Sequence, residues 1–229
     1  MPDSYDSNHP YRLIVAYHWL GGSANDVTNG SWPAGPYYGL LSYAGTNTIF
    51  VAPQGIGNGW GNSDGQDVEF SRQLIIQLEN QLCVDKSRIF CEGFSMGGSM
   101  SYAMACAMAD TIRAVAVHSG GPMSGCVQHG TPIAYFMTHG IKDSVCTYPG
   151  YGVPQLADFA KLDGCTTTTS SLPTPTDNSG ATPACLDFAG CNSAYPVRAC
   201  LFVGDHTAAP PSPSNTWVPA ESWKFFSQF

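Results

Sequence analysis

Three residue types, met in one order along the chain, could carry out acyl chemistry: a serine in a glycine turn, then an aspartate, then a histidine. Ser95 sits in Gly93-Phe-Ser-Met-Gly97, where small residues leave room for a sharp turn and push the hydroxyl clear of the backbone. Alone the pattern is weak, because glycine-rich turns are common. Here an apolar run, Arg88-Ile-Phe-Cys-Glu92, precedes it and a segment rich in Ala, Met and Ser follows, so the stretch reads strand, elbow, helix. A serine nucleophile needs a base within hydrogen-bond reach and a carboxylate to hold that base in the right tautomer. Elbows of this kind take their acid and then their histidine later in the chain. His9, His18, His118, His129 and His139 all come too early, and His206 remains. The acid is less constrained. Asp143 lies on the turn His139-Gly-Ile-Lys-Asp143, from which it can reach across to the loop bearing His206. Asp205 would have to bend back onto its neighbour's ring, and Asp187 lies beside a cysteine-clipped segment away from a strand end. His139 reads as a structural histidine.

Negative charge would develop on the carbonyl oxygen of an ester under attack, and preorganised backbone N–H groups stabilise it. One donor follows the nucleophile, at Met96. The second is expected from His18-Trp-Leu-Gly-Gly22, with Leu20 the choice. A flat aromatic acyl group would need a mostly apolar slot, and the loops near Ser95 supply Trp19, Trp32, Tyr37, Tyr38, Trp60 and, past His206, Trp217. Trp60, flanked by glycines that leave its ring free to face a groove, is the leading candidate for substrate contact, with Trp19 beside it. No His or Cys spacing requires a metal, and no G-x-G-x-x-G offers a dinucleotide site, so no cofactor is expected.

These residues must be held by something rigid, and the chain alternates strand and helix signals. Leu13–Tyr17, Thr48–Ala52, Ala114–His118, Ile133–Met137 and Val197–Val203 are continuous apolar runs of the kind buried on both faces of a parallel sheet. Between them, Val68, Ile75, Leu78 and Leu82 recur at helical spacing behind Asp67, read as a cap. Further helices are expected from Gly97 to about Ala109, from near Pro154, and from Pro219, the last with Trp223 and Phe226 inward. Residues 25–45 read as a structured loop or short helix. Thr166–Ala184, dense in Thr, Ser and Pro, reads as a surface excursion clipped by cysteines. The pattern predicts an α/β fold, a mostly parallel central sheet covered by helices on both faces, formed by residues 1–229 as one domain. In such sheets the site lies at the carboxyl ends of the strands, where His18, Ser95, Asp143 and His206 all fall.

A formal net charge of -8 with only nine Lys plus Arg leaves no basic face for a phosphate backbone, which excludes nucleic acid as an expected partner. No apolar run approaches the ~20 residues needed to cross a bilayer. The start, Met-Pro-Asp-Ser-Tyr, has no charged and apolar leader, and the chain reads as soluble. Nine cysteines without C-x-x-C pairs point to disulfides and secretion, and the sequon Asn29-Gly30-Ser31 fits an exported glycoprotein. Cys165 and Cys191 bracket the Thr, Ser and Pro excursion and are expected to be bonded to each other.

The chain resembles the fungal feruloyl esterases of the secreted, polyhydroxybutyrate-depolymerase-like group of carbohydrate esterases. The likeness runs nearly end to end. It is carried by His18-Trp-Leu-Gly-Gly22, Gly59-Trp-Gly-Asn62, Leu82-Cys-Val-Asp85, Gly93-Phe-Ser-Met-Gly-Gly98, Ser124-Gly-Cys126, His139-Gly-Ile-Lys-Asp-Ser144, Asp163-Gly-Cys165, Gly204-Asp-His-Thr207 and Trp223-Lys-Phe-Phe-Ser-Gln-Phe229. The resemblance implies the α/β-hydrolase fold, a triad on Ser95, Asp143 and His206, and release of hydroxycinnamic acids from plant cell-wall polysaccharide by a secreted monomer. An acetylxylan esterase or a short-chain polyester depolymerase would keep the triad and change the acyl pocket. A silent carbohydrate-binding protein on the same fold is the non-enzymatic alternative. Two departures stand out: the one or two strands with which such proteins usually begin are absent, and Cys91, Cys146, Cys185 and Cys200 fall where the family leads one to expect none.

Overall fold

The computed structural model describes residues 1–30, 34–126 and 130–229, so Trp32, Ser31 of the sequon and His129 lie outside the described residues. Seven strands form one sheet: β1 (Tyr11–Tyr17), β2 (Thr48–Val51), β3 (Val84–Phe94), β4 (Ala114–His118), β5 (Ala134–Gly140), β6 (Ala184–Asp187) and β7 (Val197–Phe202). Their spatial order is β2-β1-β3-β4-β5-β7-β6. Every neighbouring pair is parallel except β6 with β7. The apolar runs of β1, β4, β5 and β7 are inner strands, buried because helices cover both faces, while the run of β2 forms an edge. Side chains alternate across β3: Cys91 joins a core shared with α2 (Gln66–Gln81), α3 (Met96–Ala107) and α4 (Val153–Leu162). Phe90 points the other way, where Phe225 and Phe226 of α5 (Val218–Phe226) meet it. On that second face α1 (Ala24–Asn29) buries Val27 against Ala16 and Phe94. Among the described residues no helix is long and apolar enough to cross a membrane.

Three local features differ from the expectation. The excursion contributes the antiparallel edge strand β6, whose Cys185 sits opposite Cys200 of β7 and is bonded to it. Asp67 does not cap α2, because Gly65 occupies that position. Instead Asp67 accepts from the Asn62 amide at 2.6 Å, while the Asn62 side chain accepts from the amides of Asp67 and Val68 at 3.0 Å each. This reciprocal arrangement satisfies the helix's first donors and fixes the loop after β2 to α2. Trp223 of α5 is only partly buried, and Phe225 takes the inner place beside Phe226.

Cys165 and Cys191 are joined, as are Cys106 and Cys126. Closing the loop between Cys165 and Cys191 restricts the unfolded chain by about 3 kcal/mol. Cys83, Cys91 and Cys146 are free thiols. Burial pushes Cys91 up to about 12 and Cys146 up to about 11, which keeps both protonated and poorly reactive. The described residues bring one cluster of potential metal ligands together, Cys185, Cys200 and Glu221, and its two sulfurs are already spent on the disulfide.

Candidate active site

Ser95 stands between β3 and α3 with φ 56° and ψ -121°, a conformation that L residues adopt only when the surroundings force it. Glycine on either side makes the turn possible. A Cβ at Gly97 would lie 2.1 Å from the Tyr17 carbonyl oxygen, and one at Gly93 would lie 2.3 Å from that of Gly97. The bend is held by the Ser95 amide, which donates to the His118 carbonyl at 2.9 Å.

The loop after β7 brings His206 over this serine, with Nε2 2.9 Å from Ser95 Oγ. Its Nδ1 lies 2.8 Å from Oδ2 of Asp143, which arrives from the turn after β5. The carboxylate is fully buried, and its other oxygen accepts from the amides of Val145 at 2.9 Å and Cys146 at 2.7 Å. With Oδ1 turned to two amides and Oδ2 to the ring, Nδ1 of His206 is assigned as the donor to Asp143, which leaves Nε2 to accept from the Ser95 hydroxyl. The arrangement can take a proton from the serine as its oxygen attacks a carbonyl carbon and return that proton to the departing alcohol. His139 is buried beside it and donates to the Cys146 carbonyl at 2.6 Å, fixing the turn that carries Asp143. Burial holds its pKa below the ordinary value.

Two backbone amides of the neighbouring segments are without an acceptor among the described residues. The Met96 amide is in the first turn of α3, where helix geometry supplies no acceptor. In the loop after β1 the amides of Gly21 and Gly22 donate to Asn58 and Trp19, while the Leu20 amide meets no acceptor among the described residues. Leu20 and Met96 converge over Gly59, whose absent Cβ would lie 3.1 Å from Leu20 Cδ1 and 3.3 Å from Met96 Sδ. His18 anchors this loop from beneath: its Nδ1 is 2.8 Å from the Trp19 carbonyl and its Nε2 accepts from the Gly55 amide at 3.0 Å.

With the geometry in place, comparison with known proteins gives its family. A probable feruloyl esterase C of Aspergillus terreus is 42% identical over 227 residues, covering 99% of this chain and 82% of that protein. The feruloyl esterase C of Emericella nidulans is 42% identical over 226 residues, covering 99% and 81%. The chain belongs to the feruloyl esterase C family. The feruloyl esterase D of Neurospora crassa is more distant, 35% identical over 237 residues with 100% and 80% covered. Among solved structures, an acetyl xylan esterase from Aspergillus awamori superposes with a TM-score of 0.68 at 16% identity, covering 99% of this chain and 91% of that one. Esterase PE8 gives 0.65 at 16% identity, covering 100% and 96%. These two show the α/β-hydrolase fold. No protein-family model matches the chain.

In this feruloyl esterase C relative the aromatic residues are not where the sequence reading puts them. Trp60 is 0% exposed, packs edge-on against Tyr17 at 5.1 Å, and donates from Nε1 to the His18 carbonyl at 2.8 Å. A ring with no accessible surface cannot touch substrate; of the flanking glycines, Gly59 faces Leu20 and Met96 closely while a Cβ at Gly61 would meet nothing within 4 Å, and the tight backbone approach is at Gly55, whose Cβ would lie 2.2 Å from the Gly59 oxygen. Tyr38 is buried with its hydroxyl on the Tyr17 carbonyl, Tyr37 packs on Phe50, and Trp217 packs on Phe202. Trp19 is half-buried, its indole under Gly22, and stays at the site's edge. Four large apolar side chains on loops that follow strands of the sheet are exposed: Leu20 (65% exposed), Ile56 (79%), Met123 (41%) and Val145 (61%), on the loops after β1, β2, β4 and β5.

Asp205, set aside as the acid, ties the loop after β5 to the loop after β7. Its Oδ1 accepts from the Ser144 amide at 2.7 Å, the Ser144 hydroxyl at 2.8 Å and the His206 amide at 2.8 Å. These bonds hold its carboxyl below the ordinary carboxylate range. Asp205→Ala is expected to lower kcat about 100-fold through misplacement of the imidazole. Asp205→Asn, which keeps an acceptor oxygen, should retain most of the activity. Equal loss in both variants on a soluble ester would remove the positioning role.

Beneath the site, Glu92 of β3 and His118 of β4 are both fully buried, 3.9 Å apart. Burial pushes His118 down to about 3. Unfolded, the ring takes a proton below about 6.5 that the folded protein refuses. Unfolding free energy therefore falls as pH drops through that window, by at most ~1.4 kcal/mol per pH unit. Glu92 acts in the opposite sense, since burial raises its carboxyl and the folded state keeps a proton the unfolded chain loses. His118→Gln is expected to flatten the acid limb relative to the parent in urea unfolding between about pH 4 and 6.5. Parallel limbs would show that His118 takes up its proton in the folded state too.

Proposed function

We propose that the chain, a carboxylic-ester hydrolase of the α/β-hydrolase type, is a secreted, monomeric catalytic domain that hydrolyses hydroxycinnamate esters of plant cell-wall polysaccharide through an acyl-enzyme on Ser95. The observation that carries this reading is the unbroken chain from Ser95 Oγ through His206 to Asp143, at 2.9 and 2.8 Å, on an elbow of a feruloyl esterase C family member. In the proposed reaction His206 accepts the serine proton as Oγ bonds to the carbonyl carbon. The amides of Met96 and Leu20 receive the negative oxygen, and the imidazolium donates its proton to the leaving sugar oxygen. Water then enters and loses a proton to His206 as its oxygen bonds to the acyl carbon, and the carbon–Oγ bond breaks as His206 returns that proton to Ser95, freeing the acid. Leu20, Ile56 and Val145, with Met96 behind them, supply apolar surface for the cinnamoyl ring, and Trp19 supplies an aromatic edge.

Two measurements test the reading. A fluorophosphonate probe is expected to label Ser95, and its failure to do so would leave a catalytically silent binding protein. On methyl ferulate, methyl caffeate, methyl sinapate and acetylated xylan, kcat/KM is expected to be at least 100-fold higher for the best cinnamate ester than for acetate, because burial of a large acyl group against apolar walls is realised for one and not the other. A preference for acetate would make the chain an acetylxylan esterase on the same triad.

A further inference from the structure

The end of the sheet opposite Ser95 carries a groove of about 730 Å³ between the segments that lead into β3, β4 and β5 and the residues that follow α5. One arginine dominates it. Arg113, just before β4, lies with its guanidinium carbon 3.7 Å from the centre of the Phe229 ring. Its terminal Nη1 is buried, and no hydrogen bond or carboxylate reaches it among the described residues. Arg12, over the Trp223 ring, is likewise without an ion pair, whereas Arg72, Lys86, Arg88 and Arg198 each have an acidic partner. Arg113 is partly exposed, and its Nε and Nη2 also meet no hydrogen-bond partner among the described residues, so this edge of a guanidinium fixed on an aromatic face, not the buried Nη1, is preorganised for a planar, two-oxygen anion. Lys86 adds a second cation at the rim, 70% exposed and 3.0 Å from Glu79. Asp110 also lines the groove and opposes a polyanion, so the charge balance fits one carboxylate and not a run of phosphates. The remaining lining mixes the Tyr195 ring and hydroxyls such as that of Thr131 with the apolar Ile112 and Ala194, surface able to receive the C–H faces and hydroxyls of a sugar.

We propose that this groove binds a carboxylate-bearing saccharide, a uronic-acid unit of the polymer, with Arg113 holding the carboxylate, and so tethers acidic polysaccharide at the pole remote from Ser95. The choice of a saccharide rests on the function proposed above. Calorimetric titration of the full chain carrying Ser95→Ala is expected to give at least 10-fold tighter binding of a xylo-oligosaccharide bearing one glucuronic acid than of the same oligosaccharide after reduction of its carboxyl group. Arg113→Gln should abolish that difference, Lys86→Ala should weaken it several-fold, and excess methyl ferulate should not displace the acidic probe. Equal affinity for the acidic and reduced probes would overturn the proposal, as would undiminished binding by Arg113→Gln, displacement by methyl ferulate, or equally tight binding of sulfate. Should Arg113→Gln not fold, the comparison of the two probes on the parent decides alone. Turnover of methyl ferulate by the unsubstituted chain is measured separately. Its absence with probe binding intact removes the esterase reading and leaves the groove standing.

Discussion

Ser95→Ala is expected to lower kcat on methyl ferulate by roughly 10⁴ to 10⁶-fold while leaving the fold intact, because the oxyanion donors and the substrate surface remain but nothing can form the acyl-enzyme. His206→Ala should lose nearly as much, since the hydroxyl 2.9 Å away has then no base. The double substitution should lose little more than either alone, as groups acting in one step are not additive. His139→Ala makes the informative contrast. Its ring is buried and touches the Cys146 carbonyl, not the serine, so its removal should act through stability. If the folded His139 variant lost more turnover than the His206 variant, the base would have to be reassigned, and retention of a tenth of the activity by Ser95→Ala would remove the nucleophile.

Much of this was legible in the sequence, for physical reasons. Inner strands of a parallel sheet are apolar on both faces, so β1, β4, β5 and β7 announce themselves as unbroken runs. The elbow announces itself because only glycine fits where a Cβ would strike backbone within 2.3 Å. The Ser, Asp, His order then constrains which side chains can meet. Other features depend on contacts that no local pattern encodes. β6 is four residues of mixed polarity, and it becomes a strand only because β7 offers an open edge and Cys200 faces Cys185. Asp205 was weighed only as a partner for the imidazole. Its carboxylate reaches a neighbour's amide and Ser144, 61 residues away, and only the first of these follows a turn rule. Trp60 misleads for a related reason: glycines on both sides of a large ring are equally compatible with an open groove and with backbone packed hard against it.

That ambiguity at Trp60 can be resolved by separating stability from acyl selection. Trp60→Ala removes a fully buried indole and the donor to the His18 carbonyl, which should cost about 3–5 kcal/mol. For a chain of this size that lowers Tm by roughly 10–15 °C. Because the indole supports the loop carrying Leu20 without reaching the surface, kcat/KM for ferulate and acetate esters should fall by the same factor at a temperature where the variant is folded. Ile56→Ala and Leu20→Ala should behave in the opposite way. Both side chains stand mostly in solvent, so truncation should leave Tm within a few degrees. Each removes methylene surface that a cinnamoyl ring would cover, and kcat/KM for ferulate should fall about 10-fold with acetate nearly unchanged. A selective loss of ferulate turnover in Trp60→Ala at unaltered Tm would return the indole to the acyl pocket. Equal losses on both esters in Ile56→Ala and Leu20→Ala would leave the aliphatic rim without a part in choosing the acid.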